Sequence, residues 1–143
     1  MSEAAIPTTS KLFFDTNVLV YSLDAADRKK RERCREILRE AANAHRGVLS
    51  TQVLQELYVV ATRKLGMDPR DAKEIVASFE NFETVVVTPA LIREAIDCSV
   101  LARISFWDAL IVVAAESASC AAVVTEDLAT GQLVRGVRIA SPF

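Results

Sequence analysis

The chain alternates short apolar runs of the kind that form β-strands with longer segments that have the apolar spacing of helices. Such alternation is typical of α/β domains, in which helices connect the parallel strands of one sheet. Five runs are interpreted as strands: Leu12–Phe14, Val48–Leu49, Thr84–Thr88, Ala121–Thr125 and Val137–Ala140. The sequence therefore predicts an α/β domain with a mainly parallel five-stranded sheet, and 143 residues fit one such domain.

Polar residues that cap a first helical turn mark the predicted helices between these strands. Asp24 or Asp27 is expected to cap a basic helix that Gly47 ends. The inner face of this helix is expected to hold Cys34, Ile37, Leu38 and Ala41. Further helix starts are predicted at Ser50 or Thr51, Asp68, Thr88 and Ser105.

Residues 1–10 lack the basic start and apolar centre of a signal peptide. We expect them to form a flexible tail before a domain at residues 11–143. No apolar run approaches the roughly 20 residues that cross a bilayer, so no membrane partner is expected. The cysteines Cys34, Cys98 and Cys120 lie far apart without metal-ligand spacing, which favours buried thiols in a reduced, cytoplasmic protein.

The charges are unevenly distributed along the chain, although the formal net charge is only −2. Residues 28–73 hold 12 Lys and Arg against 6 Asp and Glu. The densest part is the predicted basic helix with Lys29, Lys30 and Arg33. One interpretation is a solvated face with Glu–Arg pairs, and the other is a surface that binds the phosphates of a polyanion.

Four acidic residues stand where an ordinary surface role explains them poorly. Asp15 and Asp127 each follow a predicted strand, at the sheet edge where α/β domains bind ligands. Asp108 lies in an almost wholly apolar helix, where it is also placed to favour the helix dipole behind the cap Ser105. Glu56 borders the apolar stripe of its helix. Converging carboxylates need a cation, and an all-oxygen site suits Mg²⁺ or Mn²⁺.

Trp107 precedes one of these acids and stands among apolar neighbours. We expect the ring to pack in the core. Stacking on a nucleic-acid base is the alternative.

Four motifs in this order resemble the PIN-domain family, most closely its single-domain VapC-like toxins of type II toxin–antitoxin pairs. They are Phe14-Asp15-Thr16-Asn17-Val18-Leu19, Val53-Leu54-Gln55-Glu56-Leu57, Phe106-Trp107-Asp108-Ala109-Leu110-Ile111 and Val124-Thr125-Glu126-Asp127-Leu128. The resemblance runs from about Lys11 to the end of the chain. Each motif alone is common, but the four together in one chain of this length are fairly specific.

This resemblance implies an α/β/α sandwich and a Mg²⁺- or Mn²⁺-dependent ribonuclease that hydrolyses a phosphodiester. Its acidic positions correspond to Asp15, Glu56, Asp108 and Asp127, and its supporting polar positions to Asn17 and Thr125. It also implies homodimers and an antitoxin protein that blocks the site.

On this basis Asp15 and Asp108 are expected to hold the main metal ion, with Asp127 direct or through water. Glu56 would orient or deprotonate the attacking water, or complete a second metal site. Glu126 is the fallback for the fourth acid, and Asp127 is preferred because it keeps the family's Thr-x-Asp spacing. Lys29, Lys30 and Arg33 would bind RNA phosphates beside the site.

Two other phosphoryl-transfer folds fit the sequence less well. A haloacid-dehalogenase-type phosphatase needs an acid two residues after Asp15, where this chain has Asn17. A receiver-type domain needs a late lysine at a strand end, and no lysine follows Lys73. A PIN-like module that binds nucleic acid or a partner without turnover remains the alternative to an enzyme.

Overall fold

A computed structural model describes residues 5–143, which form one mixed sheet with helices. The strands are β1 Leu12–Phe14, β2 Gly47–Ser50, β3 Glu83–Val85, β4 Ala122–Val124, β5 Leu133–Val134 and β6 Val137–Ala140. The helices are α1 Thr16–Leu23, α2 Arg28–Asn43, α3 Thr51–Arg63, α4 Pro69–Phe79, α5 Pro89–Ala102 and α6 Phe106–Ser117. The predicted α/β class is confirmed.

The sheet has the strand order β3-β2-β1-β4-β6-β5, and only the β5–β6 pair is antiparallel in the described part of the chain. Every residue of β1, β2 and β4 is buried. Because successive strand residues point to opposite faces, both faces of the central sheet are covered, as in an α/β/α sandwich. The largest fully buried side chains of the core are Phe13, Phe14 and Leu12.

The sheet has six strands rather than the five predicted from the sequence. The additional strand, β5, has only two residues and pairs with β6 through a tight hairpin. Arg135 and Gly136 take φ values of 51° and 78° in its turn, as a two-residue hairpin loop requires. Such a short strand leaves almost no period-2 pattern, and arginine is an unusual residue at a left-handed position.

The prediction that Gly47 ends α2 is wrong. The helix ends at Asn43, His45 takes the left-handed conformation with φ 54°, and Gly47 begins β2. A Cβ atom at position 47 would lie 2.3 Å from two carbons of the Phe82 ring, so glycine serves close packing here. The other cap predictions hold, with Asp27 rather than Asp24 at the start of α2.

The predicted tail falls partly outside the described residues, since residues 1–4 are not among them. Residues 5–10 contain no helix or strand. The guanidinium Nη1 of Arg46 donates hydrogen bonds to the carbonyls of Pro7 and Ser10, at 3.2 and 2.6 Å. Within residues 5–143 no single helix has the length and apolar composition of a membrane span, and only α5 with α6, bent by 115°, reach them together.

Candidate active site

Asp15 joins the central strand to the first helix. It follows β1, its backbone N–H donates to the Val124 carbonyl, and it is the N-cap of α1. Its Oδ1 accepts a 2.7 Å hydrogen bond from the Thr16 N–H, and its Oδ2 accepts a 2.8 Å bond from the Thr125 hydroxyl. The side chain is therefore fixed at the carboxyl edge of the sheet, only 5 % exposed.

Thr125 holds together the residues around Asp15. Parallel pairing of Phe14 with Val124 brings the ends of β1 and β4 side by side, and the fully buried Thr125 follows β4. Its hydroxyl donates to Asp15 and accepts from the Asn17 Nδ2 and the Asp127 N–H, each at 3.1 Å. A hydroxyl has one donor and two acceptor positions, so all three are used.

Asn17 connects this hydroxyl to the fourth acidic position. The Nδ2 atom of Asn17 also donates to the Asp127 Oδ2 at 3.0 Å. The Asn17 Oδ1 accepts a longer bond, 3.4 Å, from the Glu126 N–H. Asn17 and Thr125, predicted as supporting residues, thus lie between Asp15 and Asp127.

Glu56 reaches the same edge from α3. This helix begins directly after β2, with Ser50 as its N-cap, and the Thr16 hydroxyl donates to the Glu56 Oε1 at 3.2 Å. Partial desolvation of the carboxyl raises the pKa of Glu56, and the charges of Asp108 and Asp127 raise it further. Hydrogen bonds from Thr16 and Gln52 oppose that shift.

Asp108 approaches Glu56 from the first turn of α6. The N-cap Ser105 accepts a 3.1 Å bond from the Asp108 N–H, as the capping argument predicts. The expectation of deep burial is wrong for this turn, because Asp108 is only half-buried and the continuous buried run of α6 begins at Ala109. Asp108 therefore lies close enough to Glu56 for its charge to raise the pKa of Glu56, without the full cost of a buried charge.

The Asp15 carboxyl has the most perturbed proton affinity in this group. Burial raises its pKa from 3.8 to about 6, against hydrogen bonds from Thr125 and Thr16 that lower it. The neighbouring charges of Asp127 and Glu56 raise it as well. A buried carboxyl beside two other acids is stabilised by a proton or by a cation.

The side chain of Glu126 binds a second set of residues and not the acidic group around Asp15. The Tyr21 hydroxyl donates to the Glu126 Oε1 at 2.8 Å, and the Lys30 ammonium lies 3.3 Å from its Oε2. Lys30 also lies over the rings of Tyr21 and Phe143, 4.8 and 4.7 Å from their centres. We name Tyr21, Lys30, Glu126 and Phe143 the Glu126 cluster.

The three basic residues predicted to bind RNA all lie on α2 but have different surroundings. Lys30 belongs to the Glu126 cluster, and the Arg33 Nε donates to the Pro142 carbonyl at 3.0 Å. Lys29 is exposed on the first turn of the helix.

The expectation that Trp107 packs in the core is wrong. The indole is 64 % exposed, although its neighbours from Ala109 to Ala115 are buried. Trp107 lies in the first turn of α6, which precedes the buried part of the helix, and this turn places Trp107 and Asp108 toward solvent.

The donor chemistry of this edge fits a hard divalent cation, since the side chains present are carboxylates, an amide and hydroxyls. The excess of negative charge also fits, because the buried Asp15 has a raised pKa and forms no ion pair with a basic side chain of residues 5–143. Across residues 5–143, however, no three Asp, Glu, His or Cys side chains are already gathered as a metal-binding group. A cation would therefore have to draw these carboxylates closer together.

Sequence reasoning missed two supporting residues at this site. Thr16 donates to Glu56, and Gln52, which is buried, donates through its Nε2 to the Trp107 carbonyl at 3.3 Å. Neither carries a charge or a spacing that marks it, and only the position of Thr16 next to Asp15 is a signal.

No curated protein matches the sequence significantly. A VapBC complex from Salmonella typhimurium bound to DNA has a chain with TM-score 0.69 and 23 % identity, covering 94 % of this chain and 99 % of that one. A toxin–antitoxin complex from Klebsiella pneumoniae gives 0.69 and 16 %, covering 94 % and 98 %.

The Mycobacterium tuberculosis toxin VapC20, described as cleaving the sarcin–ricin loop, gives a TM-score of 0.63 at 21 % identity, covering 79 % of this chain and 87 % of that one. At these identities the likeness is one of fold. The sequence itself matches the PIN domain over residues 12–132, which is most of its length. The chain therefore belongs to the PIN domain family.

Proposed function

We propose that this protein is a metal-dependent endoribonuclease and the toxin of a toxin–antitoxin pair. The observation that carries the proposal is the hydrogen-bonded group Asp15–Thr125–Asn17–Asp127. Glu56 adjoins this group through Thr16, and the charge of Asp108 acts on Glu56. It stands in a PIN domain whose fold resembles that of an RNA-cleaving toxin. An acidic group of this kind serves phosphodiester hydrolysis when a cation offsets its charge.

The proposed cation is Mg²⁺ or Mn²⁺, held by Asp15, Asp108 and Asp127. When bound, such an ion polarises a phosphoryl oxygen and lowers the pKa of water. Asn17 and Thr125 keep the carboxylates of Asp127 and Asp15 in place through the hydrogen bonds described above. Such supporting bonds around metal ligands commonly affect metal affinity or activity by 10- to 100-fold.

Glu56 is proposed to accept or orient the proton of the attacking water. Its raised pKa makes it a better proton acceptor than an ordinary glutamate, and the Thr16 hydroxyl fixes one of its oxygens. Completing a second metal site is the other role proposed for this carboxylate.

Removal of metal is expected to stop the reaction. Purified protein should cleave structured RNA in Mg²⁺ or Mn²⁺, lose that activity in EDTA, and regain it when the ion is added back in excess. The products are resolved on a denaturing gel with end-labelled RNA. Cleavage that continues in EDTA would contradict the proposal.

The same experiment separates an enzyme from a module that only binds. For the binding module, metal-dependent RNA binding is expected without any product, even after long incubation. Binding measured beside cleavage on the same RNA therefore decides between the two functions.

The fourth acid of the site is proposed to be Asp127 rather than Glu126. Asp127 shares the Asn17 amide with Thr125, whereas Glu126 is bound to Tyr21 and Lys30. Asp127→Asn is expected to lower cleavage at least tenfold, and Glu126→Gln by less than about threefold, since losing a supporting contact at a metal site costs about 10- to 100-fold. Cleavage rates at saturating Mg²⁺ test this, and the reverse order of the two variants would assign the role to Glu126.

RNA phosphates are proposed to lie against the start of α2. Lys29 is exposed there, as is the neighbouring Arg28, while Lys30 and Arg33 keep part of their hydrogen bonding within the protein. Neutralised phosphates release counterions, so this contact would make RNA binding weaken with salt.

The proposed partners are an antitoxin protein and a second copy of the chain, and the proposed compartment is the cytoplasm. Two of the similar folds come from a VapBC complex and a toxin–antitoxin complex. Helix α5 carries an exposed apolar row suited to pairing between copies, formed by Ile92, Ile96 and Val100. Cys34, Cys98 and Cys120 are buried free thiols, which fits a reducing compartment.

A further inference from the structure

The exposed ring of Trp107 borders a pocket beside the candidate active site. This pocket, about 440 Å³ in volume, is lined by Gln52, Gln55, Glu56, Val59, Val60 and Trp107. Glu56 belongs both to the pocket and to the carboxylate group, and Trp107 directly precedes Asp108. Whatever occupies the pocket therefore lies next to the reacting phosphate of the proposed nuclease.

The Trp107 side chain extends from a helical backbone that neighbouring residues hold in place. The Phe106 ring meets it edge-on, with 5.1 Å between ring centres. The Trp107 carbonyl accepts from Gln52, which is only 6 % exposed and ties the start of α6 to α3. Among the aromatic side chains of residues 5–143, Trp107 at 64 % is the most exposed.

The lining combines three features that suit a nucleobase. Trp107 supplies a flat stacking surface, Val59 supplies an apolar wall, and the amide of Gln55 supplies a donor and an acceptor. None of the described lining residues is Lys or Arg, so the pocket is not built for phosphate. Unpaired RNA bases are commonly held by aromatic stacking with hydrogen bonds to their edges.

The polar residues of the wall favour a base over an apolar side chain of a protein. The Gln52 Oε1 is buried without a hydrogen-bond partner in the described structure. An apolar anchor would cover the polar atoms of Gln55 and Glu56 that face the pocket without offering them a hydrogen bond, at a cost in free energy. A base brings its own donors and acceptors to such a wall.

We infer that this pocket holds one unpaired nucleobase of the RNA, stacked on Trp107, next to the phosphodiester that is cut. The inference rests on the proposed function, since it names a substrate contact of the same site. It makes Trp107 a residue that selects for unpaired nucleotides, and places the preferred cleavage site in a loop or bulge.

The test uses the fact that Trp107 is the only tryptophan of the chain. Binding is measured in EDTA, so that no cleavage occurs, with a single-stranded oligoribonucleotide and with the same oligonucleotide made abasic. The intact RNA is expected to quench the Trp107 fluorescence, and the abasic RNA to leave it nearly unchanged.

Variants provide a second readout by the anisotropy of labelled RNA. Trp107→Ala is expected to weaken binding between about fivefold and 150-fold, the range for loss of one stacked base. Trp107→Phe is expected to keep most of the affinity, because phenylalanine also stacks. Leu101→Ala is the matched control, since Leu101 is 85 % exposed and lies on α5, outside the pocket lining.

The outcomes separate this inference from the proposed function. Quenching by RNA without any cleavage in Mg²⁺ would support the base pocket and contradict the nuclease. Cleavage with an unchanged Trp107→Ala affinity would support the nuclease and overturn the base pocket. Trp107 fluorescence that responds to protein concentration but not to RNA would also overturn it, because a second copy would then cover the ring.

Discussion

Asp15→Asn is expected to raise the free energy of unfolding of the metal-free protein at pH 7 by up to about 3 kcal/mol. Burial raises the pKa of Asp15 from 3.8 to about 6, so the folded state holds a proton that the unfolded state releases. The folded protein is therefore favoured below about pH 4, loses this advantage as the pH rises toward about 6, and carries the full cost above that value. Asparagine removes the charge and keeps an acceptor for the Thr16 N–H. Its amide N–H₂ cannot accept the hydrogen bond that the Thr125 hydroxyl donates to the Asp15 Oδ2, which offsets part of the gain.

Denaturant unfolding between pH 4 and pH 8, in EDTA, measures this effect. The wild type should lose stability as the pH rises through this range, and Asp15→Asn should lose less. Asp97→Asn is a suitable control, because Asp97 is exposed on α5. If the stability of the wild type and of Asp15→Asn changes equally with pH, burial does not raise the pKa of the Asp15 carboxyl.

Asp108→Asn is expected to reduce RNA cleavage by more than about a hundredfold, which exceeds the usual loss for a residue that only supports a metal ligand. The stability of the protein should fall by less than about 1 kcal/mol, the worth of an acid in the first turn of a helix. The half-buried carboxyl acts on the pKa of Glu56 through its charge, and its removal takes a proposed metal ligand from the site. Asp15→Asn should be as inactive, despite its opposite effect on stability.

Initial rates of cleavage at several Mg²⁺ concentrations, together with the unfolding curves, separate activity from folding. Glu116→Gln is the matched control, because Glu116 lies in the last turn of the same helix and pairs with Arg135. It should cleave like the wild type. If Asp108→Asn keeps near-normal rates at saturating Mg²⁺, Asp108 does not hold the metal.

Much of the fold follows from local signals in the sequence. The caps Asp27, Thr88 and Ser105 each accept the hydrogen bond that their residue type predicts. The apolar β-type runs form the parallel strands, because strands that are buried on both faces consist of continuous apolar residues. The prediction for Gly47 fails because a glycine that ends a helix and a glycine that packs against Phe82 look the same in a sequence.

Local signals in the sequence predict only part of the candidate site. Strand ends predict that Asp15 and Asp127 share a sheet edge, and the structure links them through Asn17 and Thr125. The hydrogen bonds from Tyr21 and Lys30 to Glu126 depend on how α1 and α2 pack beside β4, and no local sequence pattern encodes that packing.

The exposure of Trp107 is not predicted from the sequence either, for a different reason. The apolar composition of α6 describes the helix as a whole, while burial differs from turn to turn, and the continuous buried run of this helix begins only at Ala109. A residue one position earlier is free to meet a ligand.

The bond between Thr125 and Asp15 joins positions that are 110 residues apart. A chain leaves the ribosome from its N-terminus, so β1 and Asp15 emerge long before β4 can pair with them. Until Thr125 has emerged, Asp15 lacks its hydroxyl partner, and Asn17 has neither Thr125 nor Asp127 to bind. The hydrogen-bonded group around Asp15 is therefore completed only after the last quarter of the chain, which holds Thr125 and Asp127, has begun to emerge.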